Sequence, residues 1–357
     1  MGTGVSQFAR TTRTALQGVG VRVDILSDGG AAARRSRVAK LLWAMRPGSR
    51  TAVAVGDGFC ARDIFREAQV FFDIYGRPLA LDLPGEPGIM HWSYPLPLRI
   101  NGWRNLYTIH DVLPLDPAIP SPVDGPRLRR MLDVLRGARS EFITVSEAAK
   151  SQIVARLGWT EAAVRCCHQA ADVTGHTEGA LPQSLERHNY LLYVGAVETR
   201  KNLARLIEAY RVSGISTPLV ISGPDGMGAQ DIDAQIIETP GVIRLGLQPR
   251  EIVLRLMANA RGLVFVSLGE GFGLPVVEAM ALNTPVCASN VPAIAEVAGG
   301  AALLVDPMRI EDLRDGLIAL DSNAALREQL IVAGAARARQ FSIDAYAQRL
   351  QNLYWAA

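Results

Sequence analysis

Lysine is nearly missing from this chain. Lys40, Lys150 and Lys201 stand against 34 arginines in 357 residues. The bias reads as genome composition, but it makes each lysine informative, because arginine is the default cation here. Cysteine is scarce as well. Cys60, Cys166, Cys167 and Cys287 form no C-x-x-C pair with metal-ligand spacing. Buried free thiols of a reducing cytoplasm are the expected outcome. No apolar run reaches the roughly 18 residues of a membrane span, and the first residues lack the apolar stretch of a secretory signal. A net charge of +2 is too small to argue for nucleic acid. The expected location is the cytoplasm, and no nucleic-acid partner is expected.

What is present is hydrophobic and patterned. With 357 residues and 49% hydrophobic content, the chain exceeds what one core usually holds, so two domains are expected. Short apolar runs alternate with amphipathic segments, the pattern of parallel α/β architecture. In the second half, strands are expected at 190–195, 218–223, 241–246, 262–267, 285–289 and 301–306, which is enough for a complete doubly wound domain. In the first half they are expected at 21–27, 51–56, 106–110, 142–146 and 164–167. The proline-rich stretch from Pro78 to Pro126 reads as mostly loop. Asp172–His188 is polar, without period, and reads as the interdomain linker. The expected division is 1–175, 176–340 and a terminal helix within 341–357, with Tyr346, Leu350, Leu353 and Tyr354 on one side.

The start is unusual. Gly2-Thr3-Gly4-Val5 reads as a glycine turn leading into a helix over 6–16. Such a turn normally follows a strand, yet only Met1 precedes it. A late-placed start codon or a truncated gene is therefore expected, with the first-domain sheet lacking its central strand.

The densest chemistry lies at Ser267-Leu268-Gly269-Glu270-Gly271-Phe272-Gly273-Leu274-Pro275-Val276-Val277-Glu278. An apolar strand precedes this glycine turn and a helix follows it, so backbone N–H groups and a positive helix end face an anion. Gly271 and Gly273 permit close backbone approach. Glu278 lies among apolar helix residues and needs a partner: a ribose diol, or else the backbone or an arginine. Glu270 falls at the carboxyl end of a strand, where ligands bind in open α/β sheets; a solvated loop acid is the plainer alternative. Arg200 and Lys201 precede a helix expected from Asn202. Cations are disfavoured there unless an anion lies between them and the helix end, and a diphosphate would fit. His110 ends a first-half strand and titrates near neutrality. Ser146 is expected to be a helix N-cap. The basic run from Arg34 to Trp43 could touch a membrane surface; a solvated helix face is the commoner outcome for such a run.

Together E-G-F-G-L-P-x-x-E-A at Glu270–Ala279, G-x-x-E-x-R-K-N at Gly195–Asn202 and the segments through Pro307 resemble the family-4 (GT4) retaining glycosyltransferases, mannosyltransferase-like members of group 1. The resemblance covers about residues 190–310 and is looser in the first half. It implies the GT-B fold, two Rossmann-like doubly wound domains facing across a cleft. It also implies a hexose moved from a nucleotide diphosphate sugar to a glycan or lipid-linked acceptor in surface or exopolysaccharide assembly. By motif, Arg200 and Lys201 would neutralise the leaving diphosphate, Glu278 would bind ribose, and Glu270 and His110 would stand near the donor sugar. Gly2, Gly4, Gly195, Gly223, Ser267, Gly271, Phe272, Gly273 and Leu274 would shape the donor site. Many members carry arginine where Ala196 stands. Members with E-P-R-K-N often lack that arginine and are frequently mannosyltransferases; Thr199 here replaces their proline. GDP-mannose is thereby favoured as donor. The mechanism calls for no metal and no cofactor beyond the nucleotide sugar.

Two rivals remain at this level. A nicotinamide-dependent dehydrogenase would need G-x-G-x-x-G and an acidic residue after the next strand, and that strand ends Ala288-Ser289-Asn290. A catalytically impaired sugar-nucleotide-binding protein would keep the second domain and bind without turnover.

Overall fold

The computed structural model describes residues 4–29, 43–175, 179–182 and 185–355. Most of the basic run, Arg34 to Leu42, lies outside the described residues, as does Gly2. The second half is built on one six-stranded parallel sheet. Its spatial order is Val242–Gly246, Leu219–Ser222, Leu191–Val194, Gly262–Phe265, Val286–Ser289, Leu303–Val305. In chain order this is 3-2-1-4-5-6, the doubly wound arrangement with its switch point between Leu191–Val194 and Gly262–Phe265. Register is set by pairs such as Leu191 with Leu219 and Leu263 with Val286. Alternation along the strands feeds two cores. Leu191, Tyr193, Val264 and Cys287 pack on one face, while Leu192, Leu263, Phe265 and Val286 pack on the other. Helices cover both faces, which is why the strands read as unbroken apolar runs.

Among the described residues, the first half carries three small sheets. A four-stranded parallel sheet runs Arg165–Cys166, Glu141–Thr144, Arg104–Ile109, Ile89–Trp92. A second joins Arg50–Thr51, Leu79–Asp82 and Leu98–Ile100, and a third joins Ile25–Ser27, Gly58–Cys60 and the antiparallel Val53–Val55. The stretch Pro78–Pro126 holds more strand than expected: beside the expected strand, found at Arg104–Ile109, it carries Leu79–Asp82, Ile89–Trp92 and Leu98–Ile100, and the start of the helix Gly125–Gly137. The prolines fall between the strands, at Pro84, Pro87, Pro95 and Pro97, so they punctuate the sheet without interrupting it. Among the described residues, no strand pairs with the free side of Ile89–Trp92.

The turn expected at Gly4 is also corrected. The helix runs Gly4–Gly18, with Gly4 as its exposed first residue. This helix packs against the terminal helix Ile343–Trp355, where the Thr12 and Tyr346 hydroxyls lie 2.9 Å apart. Arg104 donates to the Tyr354 carbonyl at 2.6 Å, fixing the end of that helix on the first half. A further core lies between the halves: Phe8, Leu106, Val145 and Cys167 meet Phe272, Val277, Val297 and Tyr346. It holds the two sheets' carboxyl ends facing each other.

Candidate active site

Arg200 and Lys201 close a 3-10 turn, Thr199–Lys201, after which Asn202 takes a left-handed φ of 63° and the helix Leu203–Ser213 begins. The buried Asn202 amide donates to the Pro307 carbonyl at 2.7 Å, which fixes that turn. The Leu268 N–H donates to the Arg200 carbonyl at 3.0 Å, so the cationic turn and the Glu270 loop are stitched together. Side chains repeat the tie. Lys201 Nζ donates to Glu270 Oε1 at 2.5 Å, and Arg200 Nη1 donates to the Gly269 carbonyl at 2.8 Å. Arg200 Nη2 donates to Glu198 Oε1 at 2.8 Å. Both cations are thus held by carboxylates, yet neither is used up. An ammonium has three donors and a guanidinium five. Burial pushes the Glu270 carboxyl up, but Lys201 and Arg200 outweigh it and hold it below the ordinary value. It is ionised at neutral pH.

Asp111, from the other half, completes this cluster. Its Oδ1 accepts from the Leu113 N–H at 3.0 Å. Burial raises its pKa, and Glu270 raises it further, while Arg200 and His110 draw it down. The sequence motif placed Asp111 beside His110 without giving it a role; its neighbourhood with Arg200 and Glu270 exists only across the cleft. His110 Nε2 donates to the Ser93 carbonyl at 2.8 Å, leaving Nδ1 without the proton. Burial lowers its pKa, so the ring is neutral. The Phe8 ring meets it edge-on at 4.9 Å.

Gly271 shows why the motif needs glycine. A Cβ there would fall 2.0 Å from the His110 carbonyl oxygen and 3.1 Å from the Asp111 Cβ. The Ser146 hydroxyl donates to the Gly271 carbonyl at 2.6 Å and accepts from the Ala149 N–H at 2.9 Å, so the helix N-cap doubles as an interdomain contact. Beside it, Glu296 accepts from the Glu147 N–H at 2.9 Å and the Ala148 N–H at 2.7 Å, with the His168 ring 2.6 Å away. A second-half carboxylate thereby caps the first-half helix Glu147–Leu157.

The remaining motif residues divide. Gly195 and Gly223 follow adjacent strands back to back, and a Cβ on Gly223 would lie 1.9 Å from the Gly195 carbonyl oxygen. Gly273 caps the helix Leu274–Ala281. Ser267 is fully buried at the end of its strand. Phe272, expected at the donor, turns its side chain into a core. Its ring is buried against Phe341 at 5.6 Å, in the core between the halves. Its aromatic area is spent on packing. Leu274 packs on the same core. Glu278 sits in the buried helix with a side chain 2% exposed and is gripped bidentately by Arg250, at 2.5 and 3.0 Å. Periodicity gave no sign of Arg250; only the weighed alternative of an arginine partner came near it. A cavity of about 110 Å³ opens beside Glu270, walled by Leu113, Ile119, Gln152, Arg156 and Pro292 from both halves. Among the described residues, no helix is long and apolar enough to cross a membrane.

The comparisons agree with this geometry. The family described as glycosyl transferases group 1 matches residues 182–337. O-antigen chain mannosyltransferase B of Escherichia coli is 30% identical over 278 residues, covering 73% of this chain and 72% of that protein. O-antigen chain mannosyltransferase RfbU of Salmonella typhimurium is 35% identical over 134 residues, 35% of this chain and 36% of its own length. Sucrose-phosphate synthase from Thermosynechococcus elongatus superposes with a TM-score of 0.70 at 19% identity, over 99% of this chain and 93% of that one. With two parallel α/β halves meeting at one charged cleft, the fold is GT-B, and the chain belongs to the group 1 glycosyltransferases.

Proposed function

We propose that the chain transfers mannose from GDP-mannose to a glycan or lipid-linked saccharide in surface-polysaccharide assembly, with retention and without a metal. The observation that carries this is the convergence of Arg200, Lys201 and Glu270 with Asp111 and His110 across the cleft. The similarity to O-antigen mannosyltransferases supports the sugar and the pathway class.

The chemistry breaks the bond from the anomeric carbon to the β-phosphate oxygen, and the electron pair leaves with the diphosphate. Lys201 and Arg200 have N–H groups to spare and stand fixed before charge develops, so they lower the barrier without reorganising. Positive charge builds on the sugar, and the ionised Glu270 stands on that side of the cluster. An acceptor hydroxyl entering through the cavity beside Glu270 attacks from the face the diphosphate leaves. Its proton passes to the departing phosphate oxygen. Neutral His110, with Nδ1 free to accept, orients a sugar or acceptor hydroxyl. The final placement is cytoplasmic, peripheral to the inner membrane face where a lipid-linked acceptor would sit.

The test is turnover of GDP-mannose with lipid-linked saccharide acceptors, in EDTA. Mannosyl product with GDP release supports the proposal. Tight GDP binding with no product would leave a sugar-nucleotide-binding protein, and activity lost in EDTA and restored by a divalent ion would remove the metal-free mechanism.

A further inference from the structure

Arg250 opens the helix Arg250–Ala258 just after the strand Val242–Gly246, a position where the helix dipole disfavours a cation. It makes three hydrogen bonds there. Nη2 and Nη1 reach the two oxygens of Glu278 at 2.5 and 3.0 Å, and Nη2 also reaches the Asp172 carbonyl at 2.9 Å. Asp172 begins the segment expected to join the two domains. Three elements far apart in sequence, the Glu278 helix, the Arg250 helix and that segment, thus meet at one guanidinium.

We propose that Arg250 is the positioning residue for Glu278, orienting its carboxylate toward the ribose diol of the donor and tying that orientation to the interdomain segment. This rests on the ribose role given to Glu278 above. An ionised carboxylate offers about four lone-pair sites, and a bidentate guanidinium takes two, one on each oxygen. Two sites remain, again one per oxygen, which is what a vicinal diol with two O–H donors requires. Arg250 therefore does not compete with ribose; it fixes the plane of the carboxylate so that the open sites face the cleft.

The same pair favours the ionised form of Glu278, whose pKa burial leaves above the ordinary carboxyl value. Among the described residues, the charged groups facing it are Arg250 and Asp172. Burial pushes its pKa up and Asp172 adds to this, while Arg250 alone opposes both. Without Arg250 the carboxyl would take up a proton at higher pH, and a protonated carboxyl has lost an acceptor the diol needs.

The experiment measures GDP and 2′,3′-dideoxy-GDP affinity by calorimetry from pH 5.5 to 9, for the wild type, Arg250→Ala and Arg250→Lys. The wild type is expected to prefer GDP by about tenfold or more, the scale of a charged hydrogen bond. Arg250→Ala should lose most of that preference near neutrality and regain part of it as pH rises. Its dideoxy affinity should hold. Arg250→Lys, which keeps the charge but not the fork, should keep the wild-type pH profile with a weaker preference, and it serves if the alanine variant does not fold. Equal wild-type affinity for the two nucleotides would overturn the ribose role and this inference with it. A wild-type preference kept intact in both variants, or lost equally at every pH, would overturn the inference alone.

Discussion

Replacing Gly271 with alanine perturbs the site through a single methyl group. Its Cβ would lie 2.0 Å from the His110 carbonyl oxygen, 2.9 Å from the carbonyl carbon and 3.1 Å from the Asp111 Cβ. Ordinary heavy-atom contact lies near 3.5 Å, so the two backbones must part by on the order of 1 Å. Both sides are backbone, one in the loop before the helix Leu274–Ala281 and one just past the strand Arg104–Ile109, and neither can rotate away as a long side chain could. Overpacking of this kind costs about 1–3 kcal/mol. Parting also stretches the 2.6 Å bond from Ser146 to the Gly271 carbonyl, worth about 1 kcal/mol. The apposed arrangement of the halves should therefore lose about 2–4 kcal/mol. Since Asp111 and His110 meet Arg200 and Glu270 only in that arrangement, kcat/KM should fall by about 30-fold or more. Nucleotide affinity should change little, because Arg200, Lys201 and Glu278 all belong to the second half. Steady-state kinetics, calorimetry with GDP and small-angle scattering on the two proteins measure these three quantities. Wild-type kcat/KM in a folded Gly271→Ala protein would refute the reasoning, and so would a loss that appears entirely as lost nucleotide affinity.

Lys201→Met removes one of the two cations proposed to face the departing diphosphate and leaves the buried Glu270 short of its partner; kcat should fall by about 100-fold or more, with a smaller change in GDP-mannose affinity. Initial rates at saturating donor check this. Glu296→Gln should destabilise the protein at neutral pH. Burial pushes Glu296 up, but His168 and the N–H groups of Ala148 and Glu147 outweigh it and hold its pKa low. An acid with a depressed folded pKa stabilises above its unfolded value and loses that contribution as pH falls through the folded one. The deficit of the variant should close as the medium is acidified below pH 4.5, read as urea midpoints. His91 runs the same way at a higher pH: burial, with His110, brings its pKa down to about 3. Its unfolded form takes up a proton below about 6.5, so stability is whole above that pH and falls toward 3 by about 1.4 kcal/mol per unit. His91→Gln should trail the wild type at pH 7 and close part of the gap at pH 5; an unchanged gap would contradict the assignment.

The second half was legible because its chemistry is local. Strand, glycine turn and helix follow one another within a few residues at Gly262–Ala281, and both faces of the inner strands are buried, so apolar runs mark them directly. The first half was harder for a physical reason. Between Leu79 and Ile109 the strands are three to six residues long and separated by proline- or glycine-bearing turns, so turn chemistry masked strand periodicity. The site divides along the same line. Arg200, Lys201 and Glu270 could be picked out because a cation pair at a helix start and a carboxylate at a strand end are anomalies in sequence. Asp111, Arg250 and Glu296 were not picked out. Each takes its meaning from a partner more than 20 residues away, and only Arg250, a cation at a helix start, stands out in its own window. At Phe272 the motif and the side chain point different ways. Its place inside the motif suggested the ligand, while its size was needed to fill the core between the domains.

The most direct measurement is the fate of GDP-mannose labelled in the sugar, incubated with the wild-type protein and with Lys201→Met in the presence of lipid-linked saccharide. Label should pass to the lipid fraction with stoichiometric GDP in the wild type and hardly at all in the variant. Label retained wholly in GDP-mannose by a wild type that binds GDP, or transfer at equal rates by both proteins, would contradict the central claim.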